Sequence, residues 1–138
     1  MEIAVRYCSR SGNTRKLAEA IGKAVNSPAR EVGAALEGPV DLLFLGGALY
    51  GFDVDDALKE FIGGLTPDKV KKAAVFSTAA VAASAYPQIK KRLEARKIPV
   101  SGREFHCRGK FTLMHASRPN EKDCAGAGEF ARGVAGID

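Results

Sequence analysis

Hydrophobic positions along this chain change their period several times. Ile3, Val5 and Tyr7 alternate with other residues, the period of a strand, and predict one at about residues 2–8. Leu17, Ala18, Ile21 and Val25 then recur at helical spacing, which predicts a helix over about 13–25. A weak second strand covers Arg30–Gly33. Asp41-Leu42-Leu43-Phe44-Leu45-Gly46 is nearly continuous in apolar residues, as a parallel strand buried on both faces requires. Leu58, Phe61, Ile62 and Leu65 share one helical face and predict a helix over Asp55–Leu65. Val70–Phe76 reads as another buried strand. Tyr86-Pro87 opens a helix running to about Lys97, since proline suits the first turn. A strand at about Arg103–Cys107 follows, and Asn120 caps a last helix carrying Phe130, Val134 and Ile137.

Strands alternating with helices imply an α/β domain, an open parallel sheet wound on both faces by helices. One link resists this pattern. Ala34–Val40 is shorter than the dozen or so residues usual for a parallel crossover. Either the second strand begins earlier than predicted, or its helix is reduced to a turn.

At 138 residues the chain fits one domain, and its 46% hydrophobic and 27% charged residues are ordinary for a soluble globular protein. Met1-Glu2-Ile3-Ala4-Val5 reads as an acidic start to a strand and not as a basic leader, so a cytoplasmic location is expected. No membrane span is expected, because no apolar run approaches roughly 20 residues. Cys8, Cys107 and Cys124 form no CxxC pair, and His106 and His115 lie nine apart, so neither a disulfide framework nor a metal site is expected. The net charge of +5 lies wholly in residues 87–138, which carry eleven basic and six acidic side chains. It makes either a solvated basic surface or an attraction to an acidic partner or anionic ligand. Nucleic acid is not expected, since the basic residues are not interleaved with aromatics.

The most chemically informative stretch is Ser9-Arg10-Ser11-Gly12-Asn13-Thr14, between the first strand and the first helix. A helix N-terminus exposes unpaired N–H groups and the positive end of its dipole, so it suits a phosphate. Gly12 permits a sharp turn, and the short polar side chains add partners. The Walker pattern is absent, because Gly22-Lys23 is followed by Ala24. A relaxed dinucleotide pattern at Gly126-Ala127-Gly128-Glu129-Phe130-Ala131 lies too near the C-terminus for a βαβ unit to follow. In a cysteine-phosphatase loop, Cys8 and Arg15 would have five residues between them; here there are six.

Ser9–Thr14 resembles the [ST]-x-[ST]-G-N-T loop that holds the FMN phosphate in flavodoxins. The resemblance extends to Gly46-Gly47-Ala48-Leu49-Tyr50-Gly51 after the third strand and to Ser77-Thr78-Ala79-Ala80 after the fourth, where that family places its two flavin-covering loops. The segments Phe105–Phe111 and Arg118–Asp123 look like the end of short flavodoxins. The resemblance implies a five-stranded sheet of order 2-1-3-4-5 and FMN as cofactor. It implies a phosphate held by Ser9, Ser11, Asn13, Thr14 and the backbone N–H groups from Arg10 to Arg15, those of Arg10 and Gly12 among them. Tyr50 would stack on the flavin, with Ala48, Leu49 and Gly51 around it and Ser77, Thr78 and Ala79 opposite. Gly51 matches the residue whose peptide turns toward the reduced flavin in that family. Three departures stand out: the chain has no Trp, Ala79–Ala85 lacks aromatic and acidic residues, and the protein is basic where most carrier flavodoxins are strongly acidic.

The resemblance implies an electron-transfer protein serving a redox partner protein, acidic if the basic surface is used. An NAD(P)H-dependent FMN oxidoreductase on the same scaffold, a flavin or quinone reductase or a flavodoxin-type protoporphyrinogen oxidase, is the alternative. A sheet domain whose turn binds another phosphate, or nothing, is the third reading. The absence of an acid–base pair, and of any insertion long enough for a substrate pocket, favours the carrier.

Overall fold

The computed structural model describes residues 1–10, 12–49, 53–79, 84–108 and 119–137. Strands β1 (Ile3–Tyr7), β2 (Ala29–Glu31), β3 (Leu42–Ala48), β4 (Ala73–Ala79) and β5 (Val100–Arg108) alternate with helices α1 (Asn13–Val25), α2 (Asp56–Gly63), α3 (Tyr86–Ala95) and α4 (Glu121–Ala135). All strand pairs are parallel, in the order β2-β1-β3-β4-β5. The chain winds outward in one direction from β1 to β2 and in the other from β3 to β5. Between β1 and β3 lies the switch point, where such sheets open a crevice at the strands' carboxyl ends. The register sets Tyr7, Gly46 and Phe76 side by side there.

Each face of the sheet has its own core. Val5, Tyr7, Phe44, Ala74 and Phe76 meet Leu17 and Ile21 of α1 and Ala127, Phe130 and Ala131 of α4. Phe130 stands edge-on to Phe44, with ring centroids 6.0 Å apart. On the other face Ala4, Cys8, Leu43, Leu45 and Val75 pack against Leu58 and Ile62 of α2 and Ile89 and Leu93 of α3. The period-two alternation of β1 is thus real, but both sets of side chains are buried.

The predicted elements are present with shifted ends. The helix between β2 and β3 is absent, and residues 32–39 cross as turns and bends. Arg6, in the middle of β1 and 5% exposed, holds this crossover: its Nε donates to the Ala34 carbonyl at 2.9 Å and its Nη2 to that of Ala35 at 3.1 Å. A groove of about 520 Å³, lined in part by Val32, Leu36, Phe61 and Leu65, lies between the crossover and the end of α2. Val70, predicted as the start of a strand, makes a bridge with Val40 ahead of β4. Helix α3 ends at Ala95, not Lys97; Arg96 caps it and Lys97 turns left-handed at φ 61°. Helix α4 starts in a capping box, with Asn120 accepting from the Asp123 N–H and Asp123 from the Asn120 N–H, both at 2.9 Å. Among the described residues no helix is long and apolar enough to cross a membrane.

Candidate functional site

The turn after β1 is built by its own residues. Gly12 sits at φ 88°, ψ −2° as the N-cap of α1 and needs the left-handed region that glycine enters without a Cβ clash. The Ser9 hydroxyl accepts the Gly12 N–H at 3.0 Å and closes the turn. Lys16 N–H bonds back to the Gly12 carbonyl at 3.2 Å and begins the helix. The N–H groups of the first turn have no acceptor inside the helix. No acidic side chain stands in the first turn of α1. Asn13 and Thr14 are buried, and Arg15 and Lys16 are exposed. A helix end with neutral hydroxyl and amide groups and flanking cations fits a phosphate.

The Arg10 guanidinium is turned aside. Its Nε lies 2.7 Å from Asp55 Oδ2, while Asp55 Oδ1 caps α2 by accepting the Ala57 N–H at 3.0 Å. These two bonds, the backbone one foremost, hold the Asp55 carboxyl below its ordinary pKa. Asp53 is likewise lowered, by Lys59 Nζ at 2.9 Å and by the Val54 N–H at 2.8 Å. The stretch that returns from the crevice into α2 is therefore bracketed by two tied carboxylates, one of them bound to the turn after β1.

Cys8 directly follows β1, beside this turn. Burial, with Asp55 and Glu31 adding to it, pushes its thiol up to about 11. A phosphatase nucleophile needs the opposite shift, toward thiolate at neutral pH. The glycines of the relaxed dinucleotide pattern lie inside α4, where Gly126 meets Phe105 and Gly128 meets Ala24.

Strands β3 and β4 run farther than their apolar patterns predict. Ala48, read as a loop residue, is a buried strand residue paired in register with Thr78. Ser77, Thr78 and Ala79 are likewise the last residues of β4 and buried. The Ser77 hydroxyl accepts the Ala85 N–H at 3.1 Å at the start of α3. Thr78 faces the opposite way, and its Oγ1 lies 3.0 Å from Thr14 Oγ1. Leu49 is half-buried against the α2–α3 core. Ser11, Tyr50, Gly51 and Ala80 lie outside the described residues, as do Gly109, Lys110, Phe111, His115 and Arg118.

Of the residues read from the sequence, Ser9, Gly12, Asn13 and Thr14 form the turn, and Thr14 meets Thr78 across the sheet end. Sequence reasoning missed the Arg10–Asp55 pair and the buried Arg6. Asp55 carried a signal as an acceptor just ahead of a helical apolar pattern. His106, half-exposed, places Nδ1 2.8 Å from Glu104 Oε1, and Glu104 Oε2 accepts the Ser84 hydroxyl at 3.2 Å.

No protein-family model and no curated protein matches the chain. Solved structures do. A flavodoxin from the domain Archaea is 17% identical, with a TM-score of 0.80 over 99% of this chain and 97% of that one. Oxidised Flavodoxin 2 from Bacillus cereus is 19% identical, with a TM-score of 0.74 over 99% of both chains. A Streptococcus pneumonia TIGR4 flavodoxin is 12% identical, with a TM-score of 0.72 over 97% of both. At such identities the likeness is one of fold, and the fold is that of the flavodoxins.

Proposed function

We propose that this chain is a single-domain FMN-binding electron-transfer protein. The observation that carries the reading is the turn after β1, an anion-receptive helix start beside the switch point of a flavodoxin fold. The phosphate is held by Ser9, Ser11, Asn13 and Thr14 with backbone N–H groups from Arg10 to Arg15. By the resemblance, Ala48, Leu49, Tyr50 and Gly51 would serve one side of the flavin ring, Tyr50 by aromatic stacking, and Ser77, Thr78 and Ala79 the other. FMN, when bound, supplies the redox chemistry; the protein binds it, orients it and sets its electrostatic surroundings.

Titration of the flavin-free protein with FMN, followed by quenching of flavin fluorescence, tests this directly. The expected result is binding with one FMN per chain. Joint replacement Asn13→Ala with Thr14→Ala is expected to abolish it at micromolar protein. A wild-type chain that does not bind FMN at all would remove the reading.

A second reading, an NAD(P)H-dependent FMN oxidoreductase, is supported by one observation. The net charge of +5 is the reverse of the acidic surface that flavodoxin carriers offer their reductases. Anaerobic mixing of the FMN-loaded protein with NADPH separates the two. Reduction only through an added reductase marks the carrier, and rapid direct reduction marks the enzyme.

A further inference from the structure

Thr14 and Thr78 reach each other from elements 64 residues apart, and both are sealed from solvent, at 1% and 0% exposure. Thr14 is the second residue of α1, in the first turn, whose N–H groups have no acceptor within the helix. Ala74 and Phe76, alternate residues of β4, lie in the core beneath α1 and α4, so Thr78, two residues on, faces the same helices. Ser77 between them points to the other layer, where Ala85 and Ser84 engage it. The two adjacent hydroxyls therefore have separate tasks.

A hydroxyl has one proton to donate and two lone pairs to accept with. The bond between Thr14 and Thr78 consequently has two arrangements. If Thr14 donates to Thr78, Thr14 presents only lone pairs to the turn and repels an anion. If Thr78 donates to Thr14, the Thr14 proton is released toward the turn, and the chain of two bonds polarises in the sense an anion favours. No proton leaves its oxygen in either arrangement; only the direction of donation differs.

We infer that Thr78 is a positioning residue for the phosphate: it donates to Thr14 and thereby makes Thr14 a donor to the phosphate, in place of touching the flavin ring itself. This rests on the FMN reading above.

FMN and riboflavin differ only in the phosphate, so their affinities separate this role from ring contact. Both are titrated into the flavin-free wild-type chain and into Thr78→Val, Thr78→Ser, Thr14→Val and the double Thr14→Val/Thr78→Val chain. Loss of one bond in a charge-directed pair is expected to weaken FMN binding by Thr78→Val about five- to tenfold. Riboflavin affinity should stay within about twofold, and Thr78→Ser should restore FMN binding. Once Thr14 lacks its hydroxyl, Thr78→Val should add nothing further. Thr78→Ala, which removes the hydroxyl without inserting a methyl, reads the same loss if the valine chain does not fold.

Equal weakening of FMN and riboflavin, unchanged FMN affinity, or additive effects in the double chain would each overturn the inference and leave the FMN reading standing. A wild-type chain that binds neither flavin removes both.

Discussion

At Gly12 an added Cβ would meet nothing within 4 Å, so any cost of substitution there comes from the backbone alone. Gly12→Ala is expected to lower stability by about 1 kcal/mol, the usual penalty of the left-handed region, read as a shift of the urea midpoint. Four residues earlier, Cys8 illustrates how surroundings decide what a side chain can do. It stands where a nucleophile would serve a phosphate, yet burial and neighbouring carboxylates raise its thiol to about 11. At pH 8 only about one such thiol in a thousand is ionised, so alkylation by iodoacetamide should run about a hundredfold slower than at an exposed cysteine. Mass spectrometry of timed digests measures this, and rapid labelling of Cys8 would contradict the burial argument. The sequence reading of Cys8 as a small buried residue holds, whereas the burial of Arg6 is not readable from a strand's alternating pattern alone, which says that two faces exist but not that helices cover both.

Among the elements, α1 was legible almost residue for residue, because its four apolar positions, the glycine before it and its polar first turn all agree. The ends of β3 and β4 were not. Gly46 closes the predicted apolar run and the resemblance assigns Gly46–Gly51 to the loop after it, but Gly46 and Gly47 are strand residues crowded from the two faces. A Cβ on Gly46 would collide with the Phe76 ring, and one on Gly47 would lie 2.6 Å from Leu58 Cδ2. Gly46→Ala is therefore expected to cost about 1–3 kcal/mol through overpacking, measured by denaturant unfolding. Ser77 and Thr78, which the resemblance assigns to the loop after the fourth strand, lie within that strand just before its last residue, and each hydroxyl is satisfied inside the fold. At α2, Asp55→Ala removes the cap and the Arg10 tie together, for an expected loss of about 1 kcal/mol. The folded pKa of Asp55 lies below the unfolded one, so its contribution is present above the ordinary carboxylate range. It disappears as pH falls through the lowered value. Asp55→Asn should flatten that part of the acid-side decline in the urea midpoint.

For the molecule as a whole, strands alternating with helices imply an open parallel sheet, and the family resemblance implies its order, β2-β1-β3-β4-β5. The short link before β3 proved to be a crossover without a helix. The chain's positive charge acts over the whole surface and gives a prediction at that scale. Reduced flavin is negatively charged, so a protein of net charge +5 should make its formation easier at low salt than an acidic one does. Potentiometric titration of the FMN-loaded protein should find the final reduction step more positive at low ionic strength and shifted downward by added salt. A low value insensitive to salt would count against this. The helix-free crossover has a different consequence. A helix supplies most of its own hydrogen bonds, but the Ala34 and Ala35 carbonyls of this crossover are held by Arg6, and β2, at the sheet edge, pairs with β1. Protection of the crossover against amide hydrogen exchange thereby depends in part on one guanidinium in β1. Arg6→Met should let β2 and the crossover exchange together as one opening unit, while β3 to β5 keep their protection.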